Sequence, residues 1–239
     1  PAFDASLRNL TAGTQQLTYQ LYGPTLAKFD RVIVFSELQA EMLLRLGVRA
    51  ERLAVIPNGV DTTMWQPASL AAAASPDLQE LRQRFAGRRV FLYMGRVATE
   101  RAGGAVVRAG GVGGPAGGGG GIGGDGPGGA ARQAPGDEPD LVWWGYGPSL
   151  ERRGAFQQLA EVFLLPALVE GLSLALLEAM ASGTACIATD AGADGEVLEG
   201  GAGIVISTQG VTTQLRTLLP VLRDQPVLTA ERGRRARAR

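Results

Sequence analysis

The sequence predicts an α/β fold built on a doubly wound parallel sheet. Three observations carry that expectation. Short apolar runs alternate with longer segments of helical composition. Runs such as Val162–Leu165 are continuously apolar, as strands covered on both faces are. Helix caps and turn residues mark the joins, Ser36 before one helix and Pro57-Asn58-Gly59 after one strand.

The 239 residues suffice for one large domain or two small ones, with a sizeable core. Twenty-three basic residues balance 23 acidic ones, which gives no reason to expect nucleic acid or an acidic surface as partner. Lys28 is the only lysine, which with abundant Ala and Gly reads as a coding bias. Histidine is absent, excluding His-based acid–base catalysis, Ser-His-Asp triads and most zinc sites. Carboxylates, arginines and backbone dipoles remain. Cys186, the single cysteine, falls mid-strand and reads as a buried, inert thiol. One cysteine forms no internal disulfide, which suits a reducing cytosol, and the expected location is cytoplasmic. No apolar run approaches the roughly 20 residues of a membrane span, and no signal peptide is visible.

In chain order, residues 17–27 suggest a helix broken near Gly23-Pro24. Arg31–Phe35 is a strand. Ser36 then caps a helix with Gln39 as its capping-box partner, and Gly47 ends it. Leu53–Ile56 is a strand closed by the turn at Pro57-Asn58-Gly59, followed by a loop to Pro76 and a helix over Asp77–Phe85. Arg89–Met94 is a buried strand. Leu141–Tyr146 is a strand and turn, with Trp143 and Trp144 read as core residues. Leu150–Ala160 is a helix, Thr184–Thr189 and Gly203–Ile206 are strands, and Val211–Leu222 is a helix disturbed by Pro220. Glu231–Arg239 reads as the end of a solvated helix.

The chemistry concentrates at Glu170-Gly-Leu-Ser-Leu-Ala-Leu-Leu-Glu178. It joins the strand at Val162 to a helix over Leu174–Ala181, with Ser173 as N-cap and Gly183 closing the helix. Free N–H groups and the helix dipole make such a mouth an anion site, with a phosphate as the natural anion. Glu170 and Glu178 would hold neutral hydroxyls on either side, a layout that suits a nucleotide-sugar. The spacing alone equally suits a solvated loop Glu and a helix-surface Glu.

The surrounding residues resemble glycosyltransferase family 4, the group 1 glycosyltransferases of the GT-B fold. Four segments in family order carry the resemblance: Ile56-Pro57-Asn58-Gly59-Val60-Asp61, Tyr93-Met94-Gly95-Arg96, Pro166 through Ala185, and Thr189-Asp190-Ala191-Gly192-Ala193-Asp194-Gly195-Glu196. The resemblance implies a Rossmann-like, donor-binding C-terminal domain over 57–239 and a remnant of the acceptor-binding N-terminal domain over 1–56, an incomplete chain. Where the family has a helix after the strand at Arg89, residues 103–129 are more than half glycine. The eleven glycines from Gly103 to Gly121 would cost on the order of 10 kcal/mol in a helix. Either a flexible linker or, favoured here, a corrupted coding stretch accounts for the tract, which is expected to be poorly ordered.

By the same resemblance, the activity is metal-independent sugar transfer from a nucleotide-sugar with retention of configuration and no cofactor. Arg96 and Arg101 would neutralise the diphosphate and, with Glu170 near the reacting centre, form the catalytic set. Gly95, Gly145, Tyr146, the N–H groups of Gly171, Leu172 and Ser173, and Glu178 on the ribose would complete the donor site. The acceptor stays open between a saccharide and a lipid-linked molecule, the latter with peripheral membrane contact through the first domain. Two rivals stand beside transfer: a nucleotide-sugar hydrolase or epimerase on the same fold, and a non-catalytic nucleotide-binding fragment.

Overall fold

Two parallel sheets organise the chain in a computed structural model that describes residues 21–71, 73–95, 118–123, 141–145, 149–168 and 170–239. The smaller sheet pairs β1 (Val32–Val34) with β2 (Leu53–Val55), Val32 opposite Leu53. Between them runs α1 (Glu37–Arg45). Ser36 caps α1 by accepting from Gln39 N–H at 3.2 Å, and the Gln39 side-chain Oε1 accepts from Phe35 N–H at 2.8 Å. The capping pair expected from sequence is present, its return bond shifted one residue upstream. Val32, Val34, Ala40, Leu43 and Val48 form a small core of their own. The opposite face is open: Ile33 is 60% exposed.

The larger sheet has six parallel strands in the order β5-β4-β3-β6-β7-β8. They are β3 (Arg89–Met94), β4 (Gly118–Gly123), β5 (Leu141–Gly145), β6 (Val162–Leu165), β7 (Ala185–Thr189) and β8 (Ile204–Ile206). The chain builds outward from β3 to β5, then returns to lay β6 against the other side of β3. The strand order therefore reverses between β3 and β6. In an open parallel sheet that reversal leaves a crevice at the C-terminal strand ends, where ligands bind.

Successive residues of a strand point to opposite faces, and both faces are apolar. Phe163, Leu165, Cys186 and Ala188 pack under α2 (Pro76–Arg84), α3 (Leu150–Leu159) and α4 (Leu174–Ala181). Val162, Leu164, Ala185 and Ile187 pack under α6 (Val211–Asp224), through Val211, Leu215, Leu219 and Leu222. Helices on both faces make the sheet doubly wound, as the sequence predicted. Burial also holds the Cys186 thiol well above its usual pKa, in line with an inert residue.

Several expectations need correction. The helix at 21–26 is continuous through Gly23-Pro24, with Ala27 N–H donating to Gly23 O at 3.0 Å. Helix α6 likewise runs through Pro220, since its apolar stripe at Leu215, Leu219 and Leu222 is anchored on the sheet. Helix α7 (Pro226–Ala238) is not a solvated tail. Its Thr229, Gly233 and Ala236 are buried, and a Cβ at Gly233 would lie 2.0 Å from the Gly183 carbonyl oxygen. Inside the glycine tract, Gly118–Gly123 pairs with both β3 and β5. A parallel ladder is made by backbone groups, which glycine supplies as well as any residue. The rest of 103–129 lies outside the described residues.

Candidate functional site

The loop from Glu170 to Ser173 joins β6 to α4, beside the C-terminal end of β3 where Gly95 sits. It is thus at the strand-order reversal. Ser173 caps α4, its hydroxyl accepting from Leu176 N–H at 3.4 Å.

Contacts from two distant segments fix the loop. Glu170 N–H donates to Ala191 O at 2.9 Å, and Ala193 N–H donates to Gly171 O at 2.9 Å. These bonds lay the loop along the segment that leads into α5 (Ala193–Val197). Gly192 makes the approach possible: its φ is 147°, and a Cβ there would lie 2.1 Å from Glu170 O. From the other side, Asn58 Nδ2 donates to Leu172 O at 3.0 Å. Glu196 of α5 also reaches the smaller sheet's helix, accepting from the N–H groups of Glu37 at 3.2 Å and Leu38 at 3.4 Å. A carboxylate at a helix N-terminus satisfies free donors and complements the dipole.

One expected role changes. Ser173 N–H does not face an incoming ligand, because it donates to Oδ1 of the buried Asp194 at 2.8 Å. The carboxylate occupies one position of the anion site that a phosphate was expected to fill. Leu172 is buried, and a Cβ on Gly171 would lie 3.9 Å from Gln39 Nε2 of α1. Of the first-turn donors that the helix cannot satisfy internally, Leu174 and Ala175 N–H remain beyond these bonds.

Glu178 lies on α4 with its side chain only 9% exposed. Its Oε1 accepts from Arg153 Nη2 of α3 at 2.6 Å, while Oε2 is buried and accepts no hydrogen bond from the described residues. Burial raises the Glu178 pKa, and the Arg153 guanidinium opposes that rise. Arg153 in turn lies over the Trp65 ring at 5.4 Å.

The structure therefore brings Gly95, Glu170, Gly171, Leu172, Ser173 and Glu178 to one region of the sheet. Gly145 ends β5, two strands from β3. Arg96, Arg101 and Tyr146 lie outside the described residues. Sequence reasoning missed Asn58, Asp194 and Arg153 as parts of the site. Asn58 and Asp194 stand in the motif segments, but Asn58 was read as a turn residue and Asp194 was given no role; nothing near Arg153 marks it as different from a solvated helix residue.

The class is thus a doubly wound α/β protein, with a clamped glutamate loop at its strand-order reversal and a buried carboxylate in the helix which that loop opens. The sequence profile described as Glycosyl transferases group 1 matches residues 121–224, and that described as Glycosyltransferase Family 4 matches residues 6–64. The chain belongs to this family of glycosyltransferases. Among curated proteins, none matches the chain. Among solved structures, Anabaena HepE in complex with UDP-glucose is similar, with a TM-score of 0.78 and 20% identity over 93% of this chain and 62% of that one. Sucrose-phosphate synthase from Thermosynechococcus elongatus is similar at TM-score 0.73 and 22% identity, over 95% of this chain and 56% of that one. The C-terminal domain of the group 1 glycosyl transferase LpcC from Francisella tularensis gives TM-score 0.62 and 21% identity, over 75% of this chain and 95% of that one. These likenesses establish the fold, a GT-B one. The chain spans less than two thirds of the length of HepE.

Proposed function

We propose that the chain binds a nucleotide-sugar and belongs to an enzyme that transfers the sugar to an acceptor with retention and without a metal. Residues 57–239 would form the donor-binding domain and residues 1–56 the neighbouring part of the acceptor domain. The observation that carries the reading is the joint placement of the Glu170 loop at the β3–β6 reversal and the Glu178 carboxylate inside the helix that the loop opens. HepE, similar in fold, is seen with UDP-glucose, which supports a nucleotide-sugar donor here.

In this reading Arg96 and Arg101 stabilise charge on the departing diphosphate, and Glu170 meets sugar hydroxyls near the reacting centre. The N–H groups of Gly171, Leu174 and Ala175 supply the neutral side of the site, and Glu178 takes ribose. No cofactor is invoked. The acceptor, saccharide or lipid-linked, meets the other domain, and the enzyme works in the cytoplasm. No described helix is long and apolar enough to cross a membrane.

Calorimetry with UDP, GDP and ADP tests the donor site: Arg96→Ala and Glu178→Ala should each weaken binding by about tenfold. Unchanged affinity in both variants would remove the assignment. Acceptor positioning and exclusion of water need a full cleft. Among the described residues the 239-residue polypeptide offers a two-stranded sheet on that side, so it should bind nucleotide and yield no glycoside. A glycoside detected by mass spectrometry, and lost in Glu170→Ala, would show that the smaller sheet suffices.

A further inference from the structure

Gln39 carries the helix of the smaller sheet up to the candidate site. A Cβ built on Gly171 would meet Gln39 Nε2 at 3.9 Å and, beyond its chain neighbours, no other described atom within 4 Å. The space beside the Glu170 loop is thus open among the described residues, with the Gln39 amide along one side. The other end of that amide settles its orientation. Oε1 accepts from Phe35 N–H at 2.8 Å, and a backbone N–H can only donate, so the oxygen faces it and the nitrogen is left toward Gly171.

Both walls of this gap are tethered. On one side, the Glu196 carboxylate accepts from the N–H groups of Glu37 and Leu38 and so holds the start of α1. On the other, Asn58 holds Leu172 O, and the loop is bonded to Ala191 and Ala193. Between them, Gln39 Nε2 donates to no described residue and stays open to solvent. A side chain already fixed at its oxygen gives up little further freedom when its nitrogen meets a ligand. The amide is uncharged, so it brings a phosphate no compensating charge, whereas it matches a hydroxyl oxygen.

We propose that Gln39 Nε2 donates to a hydroxyl oxygen of the donor's sugar, so that the smaller sheet supplies a substrate contact of its own. The proposal rests on the reading of the Glu170 loop as the sugar end of a nucleotide-sugar site. Gln39 complements Glu170 in that reading. An ionised carboxylate only accepts, while the oxygen of the same sugar's hydroxyls also takes a donor. Such a bond bears on which sugar is held, because a sugar without that hydroxyl leaves the amide with no ligand partner.

The test is calorimetry on the full chain with UDP-glucose, GDP-mannose and ADP-glucose, each beside its free diphosphate, UDP, GDP or ADP. Gln39→Glu keeps the acceptor for Phe35 N–H, and with it the cap, but removes the donor. Gln39→Met removes the donor without adding charge. Each variant should bind the nucleotide-sugar that wild type binds about fivefold more weakly, and its free diphosphate as wild type does. Thermal melts of Gln39→Glu should match wild type. If Gln39→Met fails to fold, the diphosphate arm of Gln39→Glu still separates the causes, since an added charge repels the nucleotide with or without a sugar. The proposal is overturned if the folded variants bind the nucleotide-sugar like wild type. It is equally overturned if Gln39→Glu weakens nucleotide-sugar and diphosphate by the same factor, which would mean repulsion or a displaced loop and not a lost sugar contact. Wild-type binding of a nucleotide-sugar upholds the donor reading whatever Gln39 does; failure to bind any of the three would remove that reading, and the proposal with it.

Discussion

The side-chain amide of Asn58 donates to the carbonyl of Leu172 at 3.0 Å, joining the turn after β2 to the loop that opens α4. One hydrogen bond thereby ties the position of the smaller sheet to the shape of the candidate site. Asn58→Ala should cost about 1 kcal/mol and weaken nucleotide binding roughly fivefold. Asn58→Asp, which sets a carboxylate oxygen against a carbonyl oxygen, should cost more than Ala. Calorimetry and thermal melts on the two variants give the ranking; equal binding by both and by wild type would show that the loop holds its shape without this bond.

Gly192 should be the least replaceable residue around the loop. Alanine there would be strained by the φ of 147° and would place its Cβ 2.1 Å from Glu170 O. Gly192→Ala should lower stability by about 2–4 kcal/mol and abolish nucleotide binding. Gly59→Ala is the control, because nothing lies within 4 Å of a Cβ there. Similar melting temperatures for the two variants would mean that the loop relaxes away from Gly192.

Glu178 should leave a mark on stability against pH. Burial is the main cause of its raised pKa, so the folded state holds the proton more tightly than the unfolded chain. Its contribution is fully present below the unfolded value, about 4.3, and is lost as pH rises through the folded one. Glu178→Gln cannot ionise. Relative to wild type, the variant should therefore gain stability as pH rises through that window, and flat differences across pH would contradict the burial argument.

The strand at Gly118–Gly123 makes a claim that its side chains cannot support. Its ladder to β3 and β5 is made of backbone hydrogen bonds between two neighbours. Amides of 118–123 should accordingly exchange with solvent more slowly than those of the exposed turn at Asn58-Gly59. Hydrogen exchange read by mass spectrometry compares the two directly. Equal, fast exchange would show that glycine entropy defeats the ladder.

Much of the larger sheet was legible in the sequence, because its signals are local. Four residues of Val162–Leu165 in a row are apolar, and a strand buried on both faces needs that run. Ser173 and Gly183 bracket α4, since a helix start needs a side-chain acceptor and its end a left-handed residue; Gly183 has φ 74°. Local rules misjudged Pro220 and the tail beyond Glu231. There, packing against the sheet and against the turn at Gly183 outweighs the cost of a proline or of exposed arginines.

The sequence by itself determined most of the strands and helices, β4 and α5 excepted, together with the side-chain caps and the stretch in which the two glutamates lie. Each follows from residues within a few positions of one another. Only the tertiary structure decided what those glutamates meet. Glu178 is paired with Arg153, 25 positions away, and Leu172 is held by Asn58, 114 positions away. Ser173 N–H goes to Asp194 and not to a ligand. Such pairings depend on how the crossovers stack helices on a shared sheet. Local propensity carries no information about that, because a hydrogen bond across the fold depends on distance in space and not along the chain.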